Sequence, residues 1–404
     1  MKKIKYLLLV LPLFLFISAC EDYITDVEPL IDVVQDNLLT SEAQTEFVVR
    51  GVQQRFSVVA SQIACQMDLL SDQMAYTSDI ASASFPTFEE IDKGAIVLNN
   101  ATTTGTYRQL GELRFFADDL IRRAGQISFT DPAKKSLAEF NGNLYGGIAR
   151  FYLATAFGLN QNQPGGTIDN GPFIPAATLL DQAIEKYNAA LNATTDAYNK
   201  RVVNSLIAKA YFAKGQYAQA ATFAANGMAS GDANFNALNS DVSNIYYWGF
   251  AGAGRVQIYV ADRFNDYVTA DSKETARIKI NSVKGTSGKT YYWQTKYPDK
   301  GSPFIVMTWK ENNLMRAELI LRGNATGDAL ALVNAVRASY GLNNLTTIDL
   351  NTLMVERDKE MFCQGTRLID QNRGAVPWHL AATTWRYMPI PQTERDANPN
   401  LKGL

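Results

Sequence analysis

Histidine is nearly absent from this chain of 404 residues, with His379 its single example. That excludes HExxH zinc sites and multi-histidine clusters, and any Ser-His-Asp arrangement would have to be built on His379. His379 closes the run Val376-Pro377-Trp378-His379, where a packed histidine is the expected reading. Cysteine is scarce too: Cys20, Cys65 and Cys363, with no CxxC spacing, support neither a zinc site nor a redox motif. There is no excess of one charge, with 38 basic against 40 acidic residues and a formal net charge of -2. Nothing resembles the basic face that phosphate backbones require, which argues against nucleic acid as a partner. No apolar run reaches the ~20 residues that span a bilayer as a helix. What remains is ordinary globular composition, 47% hydrophobic and 19% charged, with length enough for a large core or for two or three domains.

The N-terminus has three parts. Lys2, Lys3 and Lys5 make a basic start, residues 6–17 are almost wholly apolar, and the small Ser18 and Ala19 precede Cys20. That is the plan of a secretory signal. Ile17-Ser18-Ala19-Cys20 resembles a bacterial lipobox, which implies cleavage before Cys20 and a diacylated thiol that anchors the chain in lipid. Loss of residues 1–19 removes three lysines and no acid, taking the net charge from -2 to about -5. The acidic Glu21-Asp22 resembles the surface-export signals of Bacteroidetes lipoproteins. Cys65 and Cys363 are left; they could pair in an oxidising compartment, and two separate small buried residues is the expected reading.

Helical periodicity dominates after an acidic tether at 20–40. Leu110, Leu113, Ala117, Leu120 and Ile121 share one helical face. Asp131-Pro132 caps and opens another helix, with Leu144, Ile148, Phe151, Tyr152 and Thr155 at helical spacing until Pro164-Gly165-Gly166 makes a loop. Leu179 to Leu191 reads as a helix. At 201–229, Tyr211, Gly215, Tyr217 and Ala220 fall at the spacings of a tetratricopeptide-type hairpin, which must stack on further helix pairs to bury its face. The pattern changes near residue 232. Residues 232–310 read as loops and short strands, including alternating Arg277-Ile278-Lys279-Ile280; helices resume for 311–404 near Glu311, at 329–336 and at 352–362, before an irregular tail from Trp385. The fold class expected is mostly α, a scaffold over 41–231 carrying a loop-rich, ligand-facing region.

Two sequences imitate catalytic motifs. Gly285-Thr286-Ser287-Gly288-Lys289-Thr290 looks like a phosphate-binding loop, but Val283 stands where the motif needs its first glycine, and Tyr291-Tyr292-Trp293 favours a strand over the required helix. A hairpin turn is expected. Gly249, Gly252 and Gly254 likewise lack a dinucleotide-site context. Adjacent acids such as Asp118-Asp119 and Glu89-Glu90 need not face each other across a cleft, as glycoside hydrolysis requires, and read as solvated helix faces. No cofactor is expected.

The better candidates are aromatic clusters. Sugar rings present apolar C–H faces that stack on tryptophan or tyrosine while polar neighbours bond the hydroxyls. Trp248 and Trp293 come first, with Tyr246, Tyr247, Tyr291 and Tyr292 behind them; if 245–250 is a strand, Tyr246 and Trp248 share a face. The competing expectation is that aromatics in strands lie in the core.

Three stretches near the C-terminus resemble the SusD/RagB family in the family's order. Arg316-Ala317-Glu318 leading to Ala329 through Asn334 and Arg337 resembles its "RxAE…NxVR" helix pair. Glu356-Arg357-Asp358-Lys359-Glu360-Met361 with Gly365-Thr366-Arg367 resembles "ERxxEL…EGxR", although Gln364 replaces the usual glutamate. Met388-Pro389-Ile390-Pro391-Gln392-Thr393-Glu394 with Asn398-Pro399-Asn400-Leu401 resembles "PIPxxE…NPNL". Glu318, Arg337, Glu356, Arg357 and Arg367 sit on or beside apolar helices and are expected to be internal ion pairs. The resemblance implies a non-catalytic outer-membrane lipoprotein that binds a glycan or a peptide and acts as a lid on a SusC-like TonB-dependent transporter. It also makes Asp72 and Tyr76 candidates, because members often place an acidic loop there near the ligand. The alternatives are a secreted polymer hydrolase and a tetratricopeptide-type assembly scaffold.

Overall fold

The computed structural model describes residues 39–239, 244–247 and 255–403. Cys20, Trp248, Gly249, Gly252 and Gly254 lie outside the described residues.

Side-chain caps set several of the longer helices' starts, because the first backbone N–H groups of a helix have no partner within it. α1 is Thr45–Leu70 and α2 is Pro86–Asp92, with proline in its first turn. Asn100 accepts from Thr102 and Thr103 N–H at the start of α3, Ala101–Ala124. Asp131 caps α4, Pro132–Ala156, as its sequence leads one to expect. α5 is Ala176–Ala193, α6 is Ala197–Ala213 and α7 is Tyr217–Ala225. A short α8, Arg263–Ala270, precedes α9, Trp309–Leu321, which Thr308 caps. Asp328 caps α10, Ala329–Ala338, and Asp349 caps α11, Leu350–Glu360. The single-turn α12, Arg367–Asn372, and α13, Gln392–Ala397, complete the series. No helix among the described residues is long and apolar enough to cross a membrane.

Neighbouring helices pack in sequence: α3 on α4, α4 on α5, α5 on α6, α6 on α7, then α7 on α9 and α9 on α10 and α11, with α1 laid across α3 and α4. One apolar core runs through all of them, from Val49 to Leu401.

Among the described residues, three small sheets lie against this array. β1 (Met74–Ala75), β6 (Tyr259–Val260), β8 (Thr290–Gln294) and β7 (Ile280–Lys284) form one, in the order β1-β6-β8-β7. The second joins β10 (Met388–Pro389), β2 (Phe157–Asn160), β3 (Gln163–Gly166) and β4 (Ile174–Pro175). β5 (Phe235–Ala237) pairs with β9 (Phe304–Met307).

Four expectations change. Pro164-Gly165-Gly166 is not a loop but part of β3, paired on both sides. Arg277 to Lys279 is not strand: Arg277 closes a 3-10 turn because its guanidinium is drawn to Glu274 and Glu356, and β7 begins at Ile280. Ile245 and Tyr246 are helical, so two-residue alternation does not apply to them. The tail is ordered by pairing over long range. Met388 lies parallel to Phe157, Ile390 N–H donates to Gly158 O at 2.9 Å, and the Asn398 amide donates to Gly171 O at 2.8 Å.

Candidate functional site

The sheet β1-β6-β8-β7 has one face on the core. Strand pairing sets Met74 opposite Val260 and Val260 opposite Tyr292, and these three point inward. Alternation then turns Tyr259, Tyr291, Trp293 and Val283 to the other face. There they pack with Ile80, Ala83 and Val256 in an apolar cluster separate from the main core. Tyr259 and Tyr291 meet edge to face with centroids 4.8 Å apart, and the Lys289 ammonium lies 4.9 Å from the Tyr291 ring. Trp293 is half-buried, and its strand partner Asn281 is exposed.

The loop at 76–85 frames this face and is tied down at both ends. Asp79 accepts from Thr286 Oγ1 at 2.7 Å and from Ser287 N–H and Oγ at 2.7 and 2.6 Å, clamping the β7–β8 turn. These donors hold the Asp79 carboxyl far below the usual carboxylate range. A Cβ on Gly285 would lie 2.0 Å from Asp79 Oδ2, so this clamp needs glycine. At the other end Ser84 N–H donates to Gln257 Oε1 at 2.8 Å, and the Arg255 guanidinium lies 5.3 Å over the Phe85 ring. Asp92 borders the same region. Burial outweighs the Tyr76 backbone N–H and Lys93 beside it and pushes its carboxyl up to about 6. The Tyr259 hydroxyl is pushed up to about 12 by burial and by Asp92 and Asp262 nearby.

The structure separates the sequence candidates. Tyr291 and Trp293 lie together on the outer face. Tyr292 points to the core. Tyr246 is corrected as a ligand contact: it is fully buried, its ring stacks on Phe304 at 5.7 Å, and its hydroxyl donates to Asp68 Oδ2 at 2.7 Å, so no ligand in solvent reaches it. Tyr247 is half-buried. Tyr76 packs partly on the core, its hydroxyl raised by burial and by Glu89. Asp72 is spoken for, since Arg367 grips it with two bonds of 2.6 and 2.7 Å and Arg263 flanks it at 3.5 Å. Burial raises the Asp72 carboxyl, the two guanidinium groups lower it, and the net shift is downward. Sequence reasoning missed Tyr259 and Asp92; Tyr259 falls on the outer face only once Val260 is paired with Met74 and Tyr292, which no local pattern shows.

The five motif charges are all engaged. Glu318 accepts from Arg373 at 2.6 and 2.8 Å and from Arg322 at 2.8 Å. Glu356 joins Arg337 at 2.6 Å and Arg277 at 2.8 Å; Arg357 joins Asp370 at 2.7 Å. Gly365 holds a φ of +70°, and a Cβ there would sit 2.7 Å from Ala64 Cα, which explains the glycine of that motif. The look-alike phosphate loop is the β7–β8 hairpin turn, as expected, with Gly285 N–H bonded to Lys289 O at 2.8 Å. His379 is exposed, its Nδ1 3.3 Å from the Gln371 amide, and partial desolvation by its neighbours lowers its pKa. Cys65 and Cys363 are both buried and free, and burial pushes both thiols up.

Solved structures share this architecture. A SusD superfamily protein of Bacteroides vulgatus superposes with a TM-score of 0.71 over 90% of this chain and 98% of its own, at 17% identity. One from Bacteroides thetaiotaomicron gives 0.70 over 89% and 98%, at 16% identity. The fold is that of the SusD superfamily. Surface glycan-binding protein A of Bacteroides thetaiotaomicron, solved in complex with laminarihexaose, has the same SusD fold, with a TM-score of 0.65 over 90% of this chain and 99% of its own at 13% identity. No family model and no curated protein matches the sequence. At such identities the SusD likeness rests on architecture, and the motif residues take their meaning from the ion pairs they make here.

Proposed function

We propose that the protein is a non-catalytic, lipid-anchored cell-surface protein. It binds a neutral glycan on the face formed by Trp293, Tyr291 and Tyr259 and passes it to a SusC-like TonB-dependent transporter of the outer membrane. The observation that carries this reading is the aromatic face itself, lying outside the main core of a SusD-type scaffold. A half-buried indole beside an edge-to-face tyrosine pair offers an apolar platform for a sugar ring, and Asn281 on the neighbouring strand offers an amide to its hydroxyls. Relatives of the same fold include a surface glycan-binding protein holding laminarihexaose, which favours a glycan over a peptide. The adjacent acid pairs support binding over hydrolysis. Asp118 is held by Arg150 and Lys186, Asp119 by Arg122 and Arg123, and Glu89 by Lys93, so these carboxylates are committed to ion pairs.

The test is calorimetry on the chain from residue 21, against neutral hexasaccharides and a set of peptides, with Trp293→Ala alongside. One glycan class is expected to bind, and Trp293→Ala to weaken it about tenfold or more, which corresponds to a loss of about 1.4 kcal/mol. Peptide binding with no glycan response, or glycan binding indifferent to Trp293, would sink the assignment.

A further inference from the structure

A cavity outside the aromatic cluster lies on α3. It has a volume of about 760 Å³ and is lined by Gly105, Arg108, Gly111 and Phe115 with Asp169 and Thr393 opposite. A second, of about 240 Å³, is lined by Phe85, Phe88, Gln62 and Gln66. The two share Ala101 and Gly105, so both open on α3 at that point, with only these small residues between them. Glycine is the poorest helix former after proline, and Gly105 stands inside a helix of 24 residues. A Cβ at Gly105 would meet no atom within 4 Å, so packing within the protein does not demand glycine at that position. An independent feature points the same way. Gln66 is only 4% exposed, its amide N–H donates to Thr106, and its Oε1 accepts no hydrogen bond. A buried acceptor left without a donor is costly unless a ligand supplies one.

The chemistry of the groove selects the occupant. Most of its charges are paired, Arg114 with Asp118 and Asp169 and Glu112 with Arg55 at 2.9 Å, while Glu394 accepts from Thr167 at 2.8 Å and Asn398 at 3.1 Å and Arg108 stays exposed beside Glu112. A helix surface presents no free backbone N–H or C=O row, so an extended peptide has no strand to join. A polyol brings hydroxyl donors for Gln66 Oε1 and apolar ring faces for Phe85 and Phe88 at one end and Phe115 at the other. We propose that a linear neutral oligosaccharide lies across α3 at Gly105, as a second binding groove beside the Trp293 platform. The inference rests on the glycan reading above. The loop at 76–85 belongs to both places, with Ala83 on the platform and Phe85 in the groove.

The experiment titrates the chain from residue 21 with laminarihexaose, maltohexaose and cellohexaose, comparing wild type with Gly105→Ala, Gly105→Gln, Gln66→Leu and Trp293→Ala. Alanine fits the open space and glutamine fills the crossing, and both are expected to melt at or above the wild-type temperature. Binding should fall about tenfold in Gly105→Gln and in Gln66→Leu, and by no more than about twofold in Gly105→Ala. Full binding by Gly105→Gln with weakened binding by Trp293→Ala overturns the groove and leaves the platform standing. The reverse pattern keeps the groove and removes the platform. A wild-type chain that binds none of the three hexasaccharides overturns both.

Discussion

Asp68 is a buried carboxyl whose protonation is linked to stability. It is fully buried at the join of α1, the 245–247 turn and the Gly365 loop, accepting from the Tyr246 hydroxyl at 2.7 Å and from Gly365 N–H at 3.0 Å. Burial dominates these bonds and pushes the carboxyl up to about 7. A folded-state pKa above the unfolded value means the native protein holds the extra proton between about pH 4 and 7. The stabilisation is complete below the unfolded pKa and is lost as pH rises through the folded one. Stability by denaturant titration is therefore expected to decline from pH 4.5 to 7.5, and Asp68→Asn, which keeps an acceptor without a charge, to flatten that decline. An unchanged slope in the variant would show that other groups carry it. The motif charges teach a related lesson. That Glu318 and Arg357 need partners follows from their apolar setting alone. That the partners are Arg373 and Asp370 follows from how α12 docks beside α9 and α11, which no local pattern encodes.

Among the elements, the β7–β8 hairpin shows how a turn becomes a frame for the site. Its glycines and flanking aromatic run are legible as a hairpin, and the strands pair from Ile280 opposite Gln294 to Lys284 opposite Thr290. Its grip on the 76–85 loop depends on Asp79, far away in sequence. Asp79→Ala is expected to speed amide hydrogen exchange at Ser287 while leaving the global unfolding midpoint within about 0.5 kcal/mol, since local openings are independent of the core. Slow exchange in the variant would mean that the turn holds itself. The Ile245-Tyr246-Tyr247 stretch went the other way. Its β-branched and aromatic residues favour a strand, yet Tyr246 is drawn into a pocket between Tyr297, Phe304 and Asp68, and the backbone turns helical to put it there.

For the molecule as a whole, the proposed attachment would run through Cys20, which lies outside the described residues. The lipobox reading expects Cys20→Ala, once its signal is cleaved, to leave the membrane fraction and appear as soluble protein, judged by fractionation after a high-salt wash and by its N-terminus; a cleaved variant still bound to membrane would overturn the anchor. At this scale the tail motif also finds its reason. Thr167 donates to Glu394 at 2.8 Å and Asn398 holds Gly171, so the last residues close the second sheet and one wall of the α3 groove. By itself the sequence determined the helical periodicity, the cap at Asp131 and the hairpin at Gly285, because these follow from interactions within a few residues. The tertiary structure alone decided which aromatic rings face outward, which acids are neutralised and where two cavities open on one helix. Those outcomes depend on contacts between residues up to about 300 positions apart, such as Arg367 on Asp72, and burial of one ring in place of another is settled only when the core closes.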